Sequence, residues 1–197
     1  MEKKEGNVFV VGIGGVSNGG KTTLAEGLGR CLENEEFNVT VIHQDIYFKE
    51  EKDVPLHESG EFGRWDEMIA FDMDTMVKDV KNIIEKMKNT EKSSVLIIEG
   101  ILIFNHRELN SLFNMRFVFT LTKEEAKKRR LTREYEPSDT PNIFEYHVWP
   151  MYIQYLAELR KIKVNFNELD GEISQQKILQ QVKSKVMNSF PKENGFS

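Results

Sequence analysis

The chain has 197 residues, and its 27 Lys and Arg against 32 Asp and Glu leave a net charge of −5. That length suits one domain with a substantial core, and 39% hydrophobic with 30% charged residues is a globular balance, not a disordered one. The acidic surplus argues against a nucleic-acid or anionic-membrane binder, and the lone Cys31 excludes an intramolecular disulfide framework and a multi-cysteine metal site.

In chain order, β-branched and aromatic runs predict strands at Asn7–Ile13, Asn38–His43, Val95–Ile98, Arg116–Leu121 and Lys163–Leu169. Helical periods between them predict helices at Lys21–Glu33, Met73–Asn89, Lys123–Arg133 and Phe144–Lys161, with Gln175–Asn188 closing the chain. The clearest is the second, where Met73, Met76, Val77, Val80, Ile83, Ile84 and Met87 form one apolar stripe. This alternation predicts an α/β fold: a single doubly wound domain over residues 1–190, with a mainly parallel five-stranded sheet covered on both faces. Two segments interrupt it, the acidic 45–69 stretch and the proline-bearing 133–141 stretch, and the tail Phe190–Ser197 is expected to fray. The apolar runs Val8–Val16 and Val95–Phe104 fall short of the roughly 20 residues of a membrane span. Signal-peptide cleavage near Val16 would destroy the glycine loop that follows, so a reducing, cytoplasmic setting is expected.

That loop carries the strongest signal. Residues 12–20 hold five of the chain's 13 glycines, and Gly15-Val16-Ser17-Asn18-Gly19-Gly20-Lys21-Thr22 matches G-x-x-x-x-G-K-[ST] in full. Glycines let successive backbone N–H groups converge on a phosphate, and the helix that follows adds its positive end. Lys21 then reaches the β- and γ-phosphates, and the Thr22 hydroxyl binds Mg²⁺. A dinucleotide fingerprint fails, because Ser17 stands where G-x-G-x-x-G needs its last glycine. No aspartate has a glycine three residues on, which removes the GTPase switch motif.

A small-molecule kinase needs a base at the acceptor hydroxyl, a second acid near the metal, and cations over the transferring phosphoryl group. Asp45 follows Val41-Ile42-His43-Gln44 at the carboxyl end of the second strand, where a doubly wound sheet places its ligands. Glu99 closes the apolar strand Val95–Ile98 and suits the second magnesium-ordering carboxylate. His43 reads as a packed strand residue and not as a base. Lys127, Lys128, Arg129, Arg130 and Arg133 precede the proline-bearing loop and read as part of a lid over residues 127–142. Trp65-Asp66, with Tyr47 and Phe48 upstream, suits a nucleoside: a ring to stack on the base, an acid to accept from ribose hydroxyls. Few cations interrupt this stretch, which favours an uncharged or cationic acceptor over a phosphorylated one.

These residues resemble the nicotinamide riboside kinases, uridine-kinase-like P-loop kinases. The likeness runs from Gly12–Leu24 through Val41–Asp45, Trp65-Asp66, Ile97–Gly100, Arg129-Arg130 and Thr132-Arg133 to His147–Tyr152 and Leu169–Gly171. The resemblance implies transfer of the ATP γ-phosphoryl group to the 5′-hydroxyl of nicotinamide riboside, for NAD synthesis; a monomer acting on small molecules is expected, with dimerisation left open. GTP in place of ATP and nicotinic acid riboside as a second acceptor stay open. It implies Asp45 as base, near the metal with Thr22 and Glu99. It implies Phe48, Trp65, Asp66, Arg130 and Tyr135 with Glu136 around the nucleoside. ATP is implied to be held by the loop from Gly15 through Thr23, with Arg129, Arg133 and the region after Gly171. One departure is Ile46, which stands where similar proteins commonly carry a second acid after the catalytic aspartate. Two other readings remain: a uridine or cytidine kinase of the same fold, and a regulatory P-loop protein that binds nucleotide without turnover.

Overall fold

The computed structural model describes residues 7–162 and 164–190. Five strands, β1 (Val8–Gly15), β2 (Asn38–His43), β3 (Ser94–Glu99), β4 (Met115–Thr120) and β5 (Asn167–Asp170), form one sheet in the order β2-β3-β1-β4-β5. Every neighbouring pair is parallel. Parallel strands require crossovers, and α1 (Lys21–Glu33), α2 (Met73–Lys88), α3 (Arg107–Asn110), α4 (Lys123–Arg130) and α5 (Trp149–Lys161) lie in them, while α6 (Gln175–Met187) follows the last strand.

The pleat sorts side chains to two faces. Val11, Ile13, Val95, Ile97, Phe117 and Phe119 meet Leu24, Leu28 and Leu32 of α1 and Ile178, Val182 and Val186 of α6. Val10, Ile42, Leu96, Ile98 and Val118 meet Met76, Val77 and Val80 of α2 and Leu159 of α5. A sheet buried on both sides explains why β3 reads as an uninterrupted apolar run that ends in an acid. Among the described residues no helix is long and apolar enough to cross a membrane.

The differences from the sequence reading are local. β1 runs two residues further, because Gly14 and Gly15 still pair with Val118 and Phe119. The last strand is shorter than expected and starts at Asn167; Lys163 lies outside the described residues. α4 stops at Arg130, with Thr132 and Arg133 turning back on the carbonyls of Arg129 and Arg130. The expected helix Phe144–Lys161 is divided, with a π-helical turn over Phe144–Val148 before α5, and Pro150 falls in the first turn of α5, where its missing N–H costs least. Phe190 does not fray: its ring packs 5.2 Å from Phe9 and 4.7 Å from Phe37. Residues 191–197 lie outside the described residues.

Candidate active site

Phosphate loop geometry begins where β1 ends. Gly15 has φ +112°, a conformation side chains avoid, and a Cβ there would collide with the backbone of Phe119 on β4. Asn18 takes φ 61° and Gly20 φ 103°, so the chain doubles back, with the Gly19 N–H donating to the Val16 carbonyl at 3.1 Å. Gly20 caps α1 without a side-chain bond, which leaves the helix's first N–H groups to a ligand. Lys21 is buried under the loop, its Nζ donating to the Val16 carbonyl at 2.9 Å. Burial pushes its pKa down, while the charges of Glu99, Asp45 and Asp66 resist that fall.

The ends of β2 and β3 lie side by side, with His43 opposite Glu99 in the register. The buried Glu99 carboxylate receives two bonds on Oε1: the Thr22 hydroxyl at 3.1 Å and His43 Nδ1 at 2.9 Å. His43 is therefore more than a packed strand residue: its Nδ1 pairs with the Glu99 carboxyl group and helps to orient it. Its signal was the pairing of two strand ends, which no motif records. Asp45 lies just past the strand, in a 3₁₀ turn over Gln44–Tyr47 that aims it into open space. Gln44 anchors that turn, its Oε1 accepting from the Leu102 N–H at 3.0 Å. The walls around Asp45 raise its carboxyl above the usual range, against the pull of Lys21, and Glu99 adds to the rise.

The acidic 45–69 stretch is less irregular than expected. Phe48 bridges to Phe71 and Leu56 to Gly63, short antiparallel contacts that fold the segment back on itself. Phe48 stacks on Phe71 at 4.2 Å and meets the edge of Trp65 at 5.8 Å. Beside this aromatic group, burial pushes the Asp66 carboxyl up to about 6, with Arg130 opposing and Asp139 adding.

Opposite stand the cations. Arg129 donates to Glu125 at 2.7 Å and to the Gly171 carbonyl at 2.9 Å. Arg130 grips Asp139 through two bonds of 2.6 and 2.8 Å and lies 4.3 Å from the centre of the Tyr135 ring. Arg133 Nη1 and the Tyr135 hydroxyl both donate to Asn18 Oδ1, at 3.0 and 2.9 Å.

All of this surrounds one cleft of about 910 Å³, at the upper end for small-molecule sites. It is lined by Ser17, Asn18, Gly20, Lys21, Thr22, Thr23, Asp45, Phe48, Trp65, Asp66, Glu99, Arg129, Arg130, Arg133, Tyr135 and Glu136. Gly15, Val16 and Gly19 of the predicted set do not line it. Gly15 and Val16 instead border a separate cavity of about 30 Å³ behind the loop, and a Cβ at Gly19 would meet Phe119. Their role is to shape the loop from beneath. Gln175 at the start of α6 also lines the cleft, which sequence reasoning had only as the region after Gly171.

Residues 11–150 match the family model described as AAA domain, so the chain carries one. Over 196 residues it is 39% identical to "Nicotinamide riboside kinase 1" of Rattus norvegicus, taking in 95% of this chain and 98% of that protein. The chain belongs to the nicotinamide riboside kinase family. "Nicotinamide riboside kinase 2" of Homo sapiens is 35% identical over 194 residues, 92% of this chain and 82% of that one. A solved structure described as a possible uridine kinase from Bacillus stearothermophilus superposes with a TM-score of 0.58 at 21% identity. It covers 85% of this chain and 91% of that one, and it bears on the fold alone.

For a kinase of this family the cleft's donors fit a nucleoside triphosphate with magnesium. The free N–H groups of the loop and α1, with Lys21 beneath, form a cradle for phosphate oxygens. The hydroxyl and carboxylates of Thr22, Glu99 and Asp45 are hard oxygen donors of the kind Mg²⁺ takes. Among the described residues no cluster of three or more His, Cys, Asp or Glu could hold a metal ion.

Proposed function

We propose that this protein transfers the γ-phosphoryl group of ATP to the 5′-hydroxyl of nicotinamide riboside, giving nicotinamide mononucleotide. What supports this most is that Asp45 opens into the same cleft as the phosphate loop on one side and the Phe48–Trp65–Asp66 group on the other. In this reading Asp45 accepts the 5′-hydroxyl proton, and its raised pKa suits that task better than an ordinary carboxylate would. Lys21 and the loop N–H groups hold the β- and γ-phosphates. Thr22, Glu99 and Asp45 would hold Mg²⁺, which would supply neutralisation of phosphate charge. Arg129 and Arg133 stand on the nucleotide side, and residues 127–142 act as the lid of a single kinase domain. Phe48, Trp65, Asp66, Arg130, Tyr135 and Glu136 enclose the acceptor. The pyridinium of nicotinamide riboside is a cation, and a tryptophan face with a neighbouring carboxylate suits it. The lone Cys31 supports a reducing, cytoplasmic setting, and the acidic charge balance suits small-molecule substrates over nucleic acid.

The test is ADP release by the purified protein with Mg²⁺ and ATP, in parallel with nicotinamide riboside, uridine, cytidine or no acceptor. Release with nicotinamide riboside well above the others is expected. A preference for a pyrimidine nucleoside would overturn the acceptor reading, and no release with any acceptor would favour the regulatory binding protein. A further arm with nicotinic acid riboside, and one with GTP, would set the breadth of each side.

A further inference from the structure

Asn18 stands out within the phosphate loop. The motif leaves its identity free, yet three groups from beyond β4 converge on it. Arg133 Nη1 and the Tyr135 hydroxyl both end on its Oδ1, and Arg129 Nη1 reaches its backbone carbonyl at 3.4 Å. Two donors on one oxygen fix the amide's orientation and turn Nδ2 the other way, where it is buried without a partner. The φ of 61° at Asn18 is what presents the side chain to these donors, and asparagine tolerates that conformation better than most residues.

The far side of the contact is organised as a unit. Asp139 holds Arg130 by two bonds, Arg130 lies on the Tyr135 ring, and Tyr135 delivers its hydroxyl to Asn18. The 131–140 strap is thus braced against Arg130 at the end of α4 and joined to the phosphate loop through the Asn18 side chain. The chemistry of that side chain matters, because a neutral amide holds the Arg133 guanidinium in place without neutralising it. A carboxylate would hold it more firmly but cancel the charge and repel phosphate.

We propose that Asn18 is the positioning residue that, through Arg133 and Tyr135, latches the strap to the phosphate loop, keeping Arg133 over the nucleotide site with its charge uncompensated. This rests on the nucleotide reading of the loop but not on which acceptor is used.

The test is limited trypsin digestion of the nucleotide-free protein, reading by mass spectrometry the cut after Arg133. Cleavage of a transiently opened segment follows the population of the open form. Asn18→Gly removes the amide at a position whose backbone glycine adopts freely, and Tyr135→Phe removes one hydroxyl and leaves Asn18 alone. Each should speed this cut by roughly 2- to 10-fold, the size of one or two hydrogen bonds. The double variant should be no faster than Asn18→Gly, since Tyr135 has by then lost its acceptor. Asn18→Asp keeps an oxygen for both donors and should resist cleavage as well as the parent protein, yet bind ATP roughly tenfold or more weakly by calorimetry. A merely structural side chain would not separate those two readouts. Wild-type cleavage in Asn18→Gly, multiplying effects in the double variant, or unchanged ATP affinity in Asn18→Asp would each overturn the latch. Failure of the acceptor reading would appear elsewhere, as wild-type protein that leaves nicotinamide riboside unphosphorylated.

Discussion

The phosphate loop and the aromatic wall face each other across one cleft, but different forces hold them. The loop is shaped by its own backbone within seven residues: positive φ at Gly15, Asn18 and Gly20, and the Val16 carbonyl accepting from both the Gly19 N–H and Lys21. The wall, from Gln44 to Phe71, is shaped by side chains far apart in sequence. Gln44 is tied to Leu102, Phe48 lies on Phe71 and against Trp65, and His57 stacks on Phe62, which in turn meets the buried His147. A backbone-built site tolerates almost no added atom, whereas a side-chain-built wall can be altered piece by piece. The first suits phosphates, which every substrate pair shares, and the second suits an acceptor, where specificity lies.

Asp45 sits where the two regions meet, and removing it should produce the largest effect. If Asp45 is the base, Asp45→Ala is expected to lower turnover by about 10²–10⁴ while ATP still binds through the phosphate loop and Lys21, with Thr22 and Glu99 left to hold the metal. Near-normal turnover would place the base elsewhere. Gly15→Ala attacks the backbone-built side, since the new methyl meets the Phe119 backbone at a φ that side chains avoid. It should cost roughly 2–4 kcal/mol of stability, read as a drop in Tm of about 5–15 °C. If that variant were as stable as the parent, the loop would be far softer than its geometry implies. Trp65→Ala tests the other side and should leave the ATP KM alone. It is expected to raise the nicotinamide riboside KM by roughly 2- to 30-fold, the range of a cation–π contact. A change in the ATP KM instead would dissolve the distinction between the two regions.

The same contrast explains what could be read from the sequence. β2 and α1 appear with the boundaries their patterns imply, and Lys21, Thr22, Asp45 and Glu99 share one cleft as strand-end logic requires. Those features are local: a period, a glycine spacing, an acid after an apolar run. The fold-back of residues 48–71, the π-helical turn at Phe144–Val148 and the His43–Glu99 bond each depend on partners that only tertiary structure supplies. The His147–Tyr152 string shows the limit most clearly. It carried family resemblance without a chemical role, and its structural role is packing, with His147 against Phe62 and His57 of the wall and Trp149 against Phe144 and Tyr152.

The pH-dependent effect is the most discriminating. Asp66 carries a carboxyl raised from its ordinary 3.8 to about 6, chiefly by burial. An acid whose folded pKa lies above its unfolded one stabilises the fold in its protonated form, and that contribution fades as pH rises through the folded value. At pH 8 the ionised Asp66 is therefore a burden on the fold, and Asp66→Asn should stabilise the protein by about 1–3 kcal/mol in urea unfolding. The gain should shrink as pH falls through 6 and fade toward pH 4, where the parent's Asp66 is itself protonated. Acceptor affinity should move the opposite way: the parent's nicotinamide riboside KM should rise between pH 7 and 5 as the carboxylate is lost, while the variant's KM is high and flat. A variant more stable yet poorer in acceptor binding would mean the fold tolerates a buried ionised acid because the ribose needs it. Equal stability at pH 8 would mean that Asp66 is well solvated in the folded protein and that its charge costs the fold nothing.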